Sequence, residues 1–240
     1  DAGGNGAIEL AATSLITDST NGTNNGNQFL DETDSVSIAA AGLNAGSGTI
    51  QLAAGTFQLG GAGRITDAAD VSISTTAVLD LNGFNETFDD LTGTGTVDNA
   101  AAGAVTLNIG GAGSSEFSGA ITDTSGDLSL TKTGVGTLTL SGTNTYTGAT
   151  SVSAGTLLVN GSTASGSAIT VVAGATLGGS GTVAGSVTVN GASGNAGVLA
   201  PGNSPGTLAT GSLTLNADTT FSVEIGGTSP GNGAGFHDEV

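Results

Sequence analysis

Two runs of neighbouring carboxylates in this 240-residue chain have the residue types and spacing of a metal site. They are Asp31, Glu32 and Asp34 in "LDETD", and Asp89 and Asp90 in "FDDL". Hard oxygen ligands this close together suit Ca2+, which takes about six to eight of them. Each run falls short of that number, so carbonyls, water or a neighbouring molecule would have to complete the shell. Asp31, Glu32, Asp34, Asp89 and Asp90 are therefore weak candidates for Ca2+, and the sequence assigns no definite cofactor. EF-hand spacing is absent, and "GGAGRITDA" (60–68) and "GGAGSSEF" (110–117) carry the glycines of a calcium β-roll without its Asp. They read as Gly-rich corners. His237, beside Asp238 and Glu239, reads as a solvated side chain. "GGSGTVAG" (178–185) has no Lys after it and no helix to open, so it is not a phosphate loop.

Charge narrows the partners. The chain carries 20 acids against two cations, Arg64 and Lys132, for a net charge of −18. Residues 1–127 hold 16 of the acids, residues 128–217 none and residues 218–240 four. Two cations cannot replace the counterions of a polyphosphate, so nucleic acid is excluded as a partner, and an anionic membrane surface is disfavoured for the same reason. The acidity itself reads as solubility and mutual repulsion. No run approaches 18 apolar residues, so no transmembrane segment is expected. The first residues, "DAGGNGAIEL", contain neither a basic nor an apolar leader region, and an export signal is expected to lie outside this sequence.

The elements that must position these residues have a period of two. Apolar and small polar residues alternate in short runs: "TIQL" (49–52), "TFQL" (56–59), "VLDL" (78–81), "VTLNI" (105–109), "TLTL" (137–140), "TLLV" (156–159) and "FSVEI" (221–225). This pattern predicts strands with one buried face, and no stretch has helical spacing. Asn-Gly pairs, among them Asn82-Gly83, Asn160-Gly161 and Asn190-Gly191, suit tight corners because both residues tolerate positive φ. A longer repeat lies above this one. Leu138, Leu157, Leu177, Leu199 and Phe221 recur at intervals of 19, 20, 22 and 22 residues, and Val152, Ile169, Val187 and Leu213 form a second series. Periods near 20 with short strands between turns predict an all-β parallel β-solenoid of three short strands per coil. With 44 Gly, one Tyr, seven Phe and no Trp or Cys, the composition suits thin stacked layers better than a sandwich built on large side chains. Residues 36–240 are assigned to the solenoid. Residues 1–35, the least repeat-like, read as an N-terminal cap or arm. The "FSVEI" run near the other end reads as though a further coil should follow.

"LTKTGVGTLTLSGTNTYTGATSVSAGTLLVNGS" (130–162) closely resembles the passenger-associated repeat, also called the autotransporter-associated β-strand repeat. Residues 79–99 resemble the coils that precede it, and residues 177–227, with the "LAPGNSPGTL" corner, those that follow. The resemblance implies a right-handed parallel β-helix of an exported bacterial protein, extracellular or at the cell surface. It implies the role of an adhesin, stalk or fibre segment within a larger polypeptide. Implied partners are further coils of that polypeptide, a second copy stacked head to tail as a filament, or glycans and proteins of a neighbouring or host cell. The strands are too short for a membrane barrel.

Parallel β-helices also include glycan-processing enzymes, which makes a catalytic role the alternative. Lyase chemistry needs an Arg or Lys base beside cation-binding acids, and hydrolysis needs converging carboxylates. Arg64 and Lys132 are distant in sequence, Lys132 reads as a corner residue, and Tyr146 is the only Tyr available to face a sugar ring. The chain is therefore expected not to be an enzyme.

Overall fold

The computed structural model describes residues 42–202 and 206–223 continuously, together with the strands Ile8–Glu9, Ser14–Leu15, Gln28–Asp31 and Ser35–Ile38. The described residues contain strands and no helix. They wind as a β-solenoid of about nine turns at a spacing of about 21 residues. Every pairing between named strands is parallel, and strands pair with their counterparts in neighbouring coils.

Each coil crosses three faces. The first carries the longest ladder, in which Ser115, Leu138, Leu157, Leu177, Leu199 and Phe221 are direct register partners. The series of five read from the sequence is thus one hydrogen-bonded column. On the second face Val36, Phe57, Leu79, Val97 and Ile121 stack in register. The third is a seven-stranded sheet running from Glu86–Phe88 to Leu213–Leu215. Alternation gives these columns their side: within Thr137–Leu140 the two Leu are buried and the two Thr are half-exposed. Stacking equivalent aliphatic residues at the strand spacing of about 4.8 Å makes one core along the rod, where each buried side chain contributes roughly 1.5–3 kcal/mol.

Three expectations change in detail. The second series is out of step at its first member, because Ile169, Val187 and Leu213 are in register with Thr150 rather than Val152. Both residues face inward, and a period of two cannot distinguish them; the column position is held by a buried Thr. The runs "TIQL" and "TFQL" are not separate strands. They belong to one strand, Thr49–Leu59, which pairs with Asp70–Asp80 around the corner through a register shift between Leu52 and Ala54. Of the Asn-Gly pairs among the described residues, only Asn82-Gly83 has positive φ, at 49° and 79°.

The other glycines answer a different demand. At the corner between the first and second faces, Gly95, Gly119, Gly142, Gly161 and Gly181 lie one above the next. A Cβ added to Gly142 would sit 1.8 Å from the Gly119 carbonyl oxygen, and one added to Gly161 would sit 1.9 Å from that of Gly142. The side-chain space at each level is already filled by the backbone of the coil below. Gly142→Ala is expected to cost about 1–3 kcal/mol through this overlap, read as a lower denaturant midpoint. Unchanged stability would contradict the glycine spine. Ser115 is the converse case. Its buried hydroxyl has no hydrogen-bond partner and its column neighbours are Leu91 and Leu138. Ser115→Ala is expected to stabilise the chain by about 1 kcal/mol in the same assay.

Candidate functional site

The acids of the first half fall into two arrangements. At the corner between the second and third faces they bind across coils. The Asp80 carboxylate accepts from Gln58 Nε2 at 2.8 Å, from the Asn82 amide at 2.8 Å and from the Ala100 amide of the following coil at 3.1 Å. Asp98 accepts from Thr122 Oγ1 at 2.7 Å, the Thr124 amide at 3.0 Å and Thr124 Oγ1 at 2.8 Å. Asp123 accepts from the Thr147 amide and hydroxyl, both at 2.7 Å. Asp80 and Asp98 end their strands and Asp123 directly follows one, where the backbone leaves the ladder and its amides need another acceptor. Asn99 works beside them, with its Oδ1 accepting from the Gly83 amide at 3.0 Å. These clamps were not singled out in the sequence. Their signal is an Asp at the end of each alternating run: "VLD", "TVD" and "ITD".

The second arrangement surrounds the calcium candidates Asp89 and Asp90, at the corner between the third and first faces. Both are half-exposed. Asp70 lies beside Asp90 in the ladder, since Val71 pairs with Leu91. Burial, then the charges of Asp90 and Asp89, hold the Asp70 carboxyl above its ordinary value. The Asp90 carboxylate lies against Gly111 of the next coil, in the space a side chain there would occupy. No three acids among the described residues are grouped closely enough to hold a metal ion. Glu32 and Asp34 lie outside the described residues. The backbone of Asp31 is described: it ends the strand Gln28–Asp31 in register with Glu9. His237, Asp238 and Glu239 also lie outside.

Lys132 is not at a corner. It ends the strand Leu128–Lys132 with its side chain inward, 1% exposed, in register with Ile109 and Val152. Its Nζ donates to the Gly134 carbonyl. Burial lowers its pKa, an effect opposed by Asp90 and Asp89. The sequence reading placed it by its Gly-rich surroundings, whereas strand alternation carries it into the core. The Arg64 guanidinium lies over Gly61, and its amide donates to Glu86, where the chain enters the third face, whereas Lys132 ends its strand on that face. Tyr146 is fully buried. Its hydroxyl is 2.7 Å from Thr150 Oγ1, which is 3.2 Å from Ser167 Oγ, so a short hydroxyl chain crosses the interior and the ring faces no solvent.

The geometry therefore gathers Asp70, Asp89 and Asp90 at one corner with Lys132 inside it, and commits Asp80, Asp98 and Asp123 to holding coils together. Residues 130–159 match the family model of the passenger-associated-transport-repeat. The match spans the coils that carry Leu138 and Leu157, in the acid-free block. No curated protein and no solved structure matches the chain. Asp98→Ala is expected to cost about 1.5–3 kcal/mol, because it removes hydrogen bonds to a charged acceptor and leaves the Thr124 amide unmatched. Urea denaturation with hydrogen exchange at Thr124 checks this; full retention of both would show that the clamp is not structural.

Proposed function

We propose that this passenger-repeat solenoid is a rigid structural or adhesive rod segment of an exported bacterial protein, extracellular or displayed at the cell surface. The observation that carries this reading is the use of the polar side chains. The described acids with the most partners hold successive coils in register, and Lys132 and Tyr146, candidates for enzymatic chemistry, are inside the core. A lyase base in a groove must reach substrate, and a Lys that is 1% exposed on a backbone carbonyl does not. The reading is accordingly non-enzymatic, with glycans or proteins of another surface as partners along the outer faces. A cap at the N-terminal end belongs to this reading. Support comes from Ile8 and Ser14, whose strands pair in parallel with those of Leu30 and Ser37.

A second reading is a filament in which copies stack head to tail. Exposure in the last described coil favours it. Leu215, Phe221 and Val223 are about 40% exposed, whereas their column partners Val189 and Leu199 are fully buried. Strand edges at the end of a parallel solenoid can pair with a further coil, and in this reading a second copy supplies it. Ca2+ at Asp31, Glu32 and Asp34, near the first coils, would offset acid repulsion between copies, whereas Asp89 and Asp90 are flanked by coils of their own chain.

Electron microscopy of the purified chain with Ca2+ and with EDTA separates the two readings. The rod reading expects single particles about 40 Å long over the nine turns, at about 4.8 Å per coil, in both conditions. Long fibres that disperse in EDTA would establish the calcium-bridged filament instead. Compact particles of irregular outline would sink both.

A further inference from the structure

Asn is among the chemically labile residues, and a glycine after it leaves the next amide unshielded by any side chain. Three of the seven Asn-Gly pairs lie among the described residues, each after an aliphatic residue: Leu81-Asn82-Gly83, Val159-Asn160-Gly161 and Val189-Asn190-Gly191. Their local sequences are alike, but their hydrogen bonds differ. The Gly83 amide donates to Asn99 Oδ1 at 3.0 Å, and Asn82 Nδ2 donates to the Leu59 carbonyl at 2.9 Å. The Gly161 amide donates to the Leu140 carbonyl at 2.9 Å. The Gly191 amide has no acceptor among the described residues, and neither has Asn190 Nδ2. Asn190 Oδ1 accepts from Asn216 Nδ2 of the next coil at 2.6 Å. Asn190 and Gly191 are half-exposed and open the exposed loop 192–195.

We propose that Asn190 is the site in the described rod where the fold permits spontaneous deamidation, and that its isoaspartate product unseats the coil stacked on it. The Gly191 nitrogen forms a bond to Asn190 Cγ. Negative charge developing on Oδ1 is met by the Asn216 donor already in place. The Cγ–Nδ2 bond then breaks, the Gly191 amide proton passes through solvent to the departing nitrogen, and ammonia leaves. Water opens the resulting cyclic imide at either carbonyl, giving Asp or isoaspartate. In isoaspartate the backbone runs through the former side chain and is one carbon longer. The packing has no room for it, since a Cβ on Gly191 would already sit 1.8 Å from the Asp218 carbonyl oxygen. Two ladder bonds meet here. The Asn190 amide donates to the Val171 carbonyl at 2.8 Å, and the Asn216 amide to the Val189 carbonyl at 3.0 Å. Either product also places a carboxylate within residues 128–217, which hold no acid. The closeness of Asp218 that requires glycine at 191 thus creates the labile pair.

Fragmentation mass spectrometry of the intact chain, incubated in mildly alkaline buffer, locates the mass gained at each Asn. In the folded chain Asn190 is expected to convert at least about ten times faster than Asn160 or Asn82, the factor that releasing one ordinary hydrogen bond supplies. Access alone would put Asn160 first, because it is exposed and Asn190 is half-exposed. In denaturing urea the three rates are expected to converge, because the flanking residues are alike. No conversion at Asn190, a rate there no faster than at Asn160 or Asn82, or a lead that persists in urea would each overturn the proposal. Hydrogen exchange reads the consequence. In the isoaspartate form, protection of the Asn216 amide is expected to fall by about tenfold or more, as one hydrogen bond is lost. The Ser141 amide, bonded to the Phe117 carbonyl several coils away, is expected to stay level, because solenoid coils feel mainly their neighbours. Unchanged protection at Asn216, or an equal fall at Ser141, would overturn the unseating of that coil.

Discussion

Everything in this rod depends on the distance between one coil and the next. Parallel strands hydrogen-bond at about 4.8 Å, and every position in a coil must be compatible with the same position above and below at that spacing. Along the first face the constraint produces an aliphatic column, Leu138, Leu157, Leu177 and Leu199. At the neighbouring corner it allows no side chain, because the carbonyl of the coil below takes up the Cβ position. Strand spacing thus selects both the largest and the smallest residues in the repeat, and it explains why a chain with 44 Gly forms an ordered core.

The same spacing decides what the polar residues do. Where a strand ends, its amides leave the ladder, and a side chain that reaches one coil along can take them up. In the first half carboxylates serve, in Asp80, Asp98 and Asp123. In the acid-free block neutral groups take over: Asn144 Oδ1 accepts from the Ile121 amide at 3.0 Å, and Asn160 Oδ1 from the Ser180 amide at 3.1 Å. The net charge of −18 therefore overstates the negative charge free to meet a partner. Glu86 and Lys132 are both interior, each held by backbone groups of a corner or neighbouring coil.

The function proposed for this architecture is mechanical, and it draws on the placement of the polar side chains. A groove enzyme gathers a base, acids and a sugar platform on one accessible surface. Here Lys132 and Tyr146 are turned inward and the Arg64 guanidinium lies over Gly61. The acidic corner of Asp70, Asp89 and Asp90 is half-exposed, and the charges of Asp89 and Asp90 act on Lys132 within the core.

By itself the sequence determined the period, the strand runs and the coil length. Alternation and the recurrence of Leu138 through Phe221 are direct images of pleat and stacking, and the register reproduces that series residue for residue. Only the tertiary structure decided which inward residue occupies a column and what each polar residue touches. Thr150 rather than Val152 completes the second series, because a period of two is blind to a shift of two residues. Gly161 follows Asn160 for closeness to Gly142 rather than for positive φ, a contact made with residues 19 positions earlier. Lys132 and Glu86 were misplaced or passed over for a related reason. Their charge marks these side chains as outward, whereas strand alternation and a carbonyl or amide from a neighbouring turn or coil carry them in. Local pattern fixes the coil, and contacts about 20 residues away in sequence fix its chemistry.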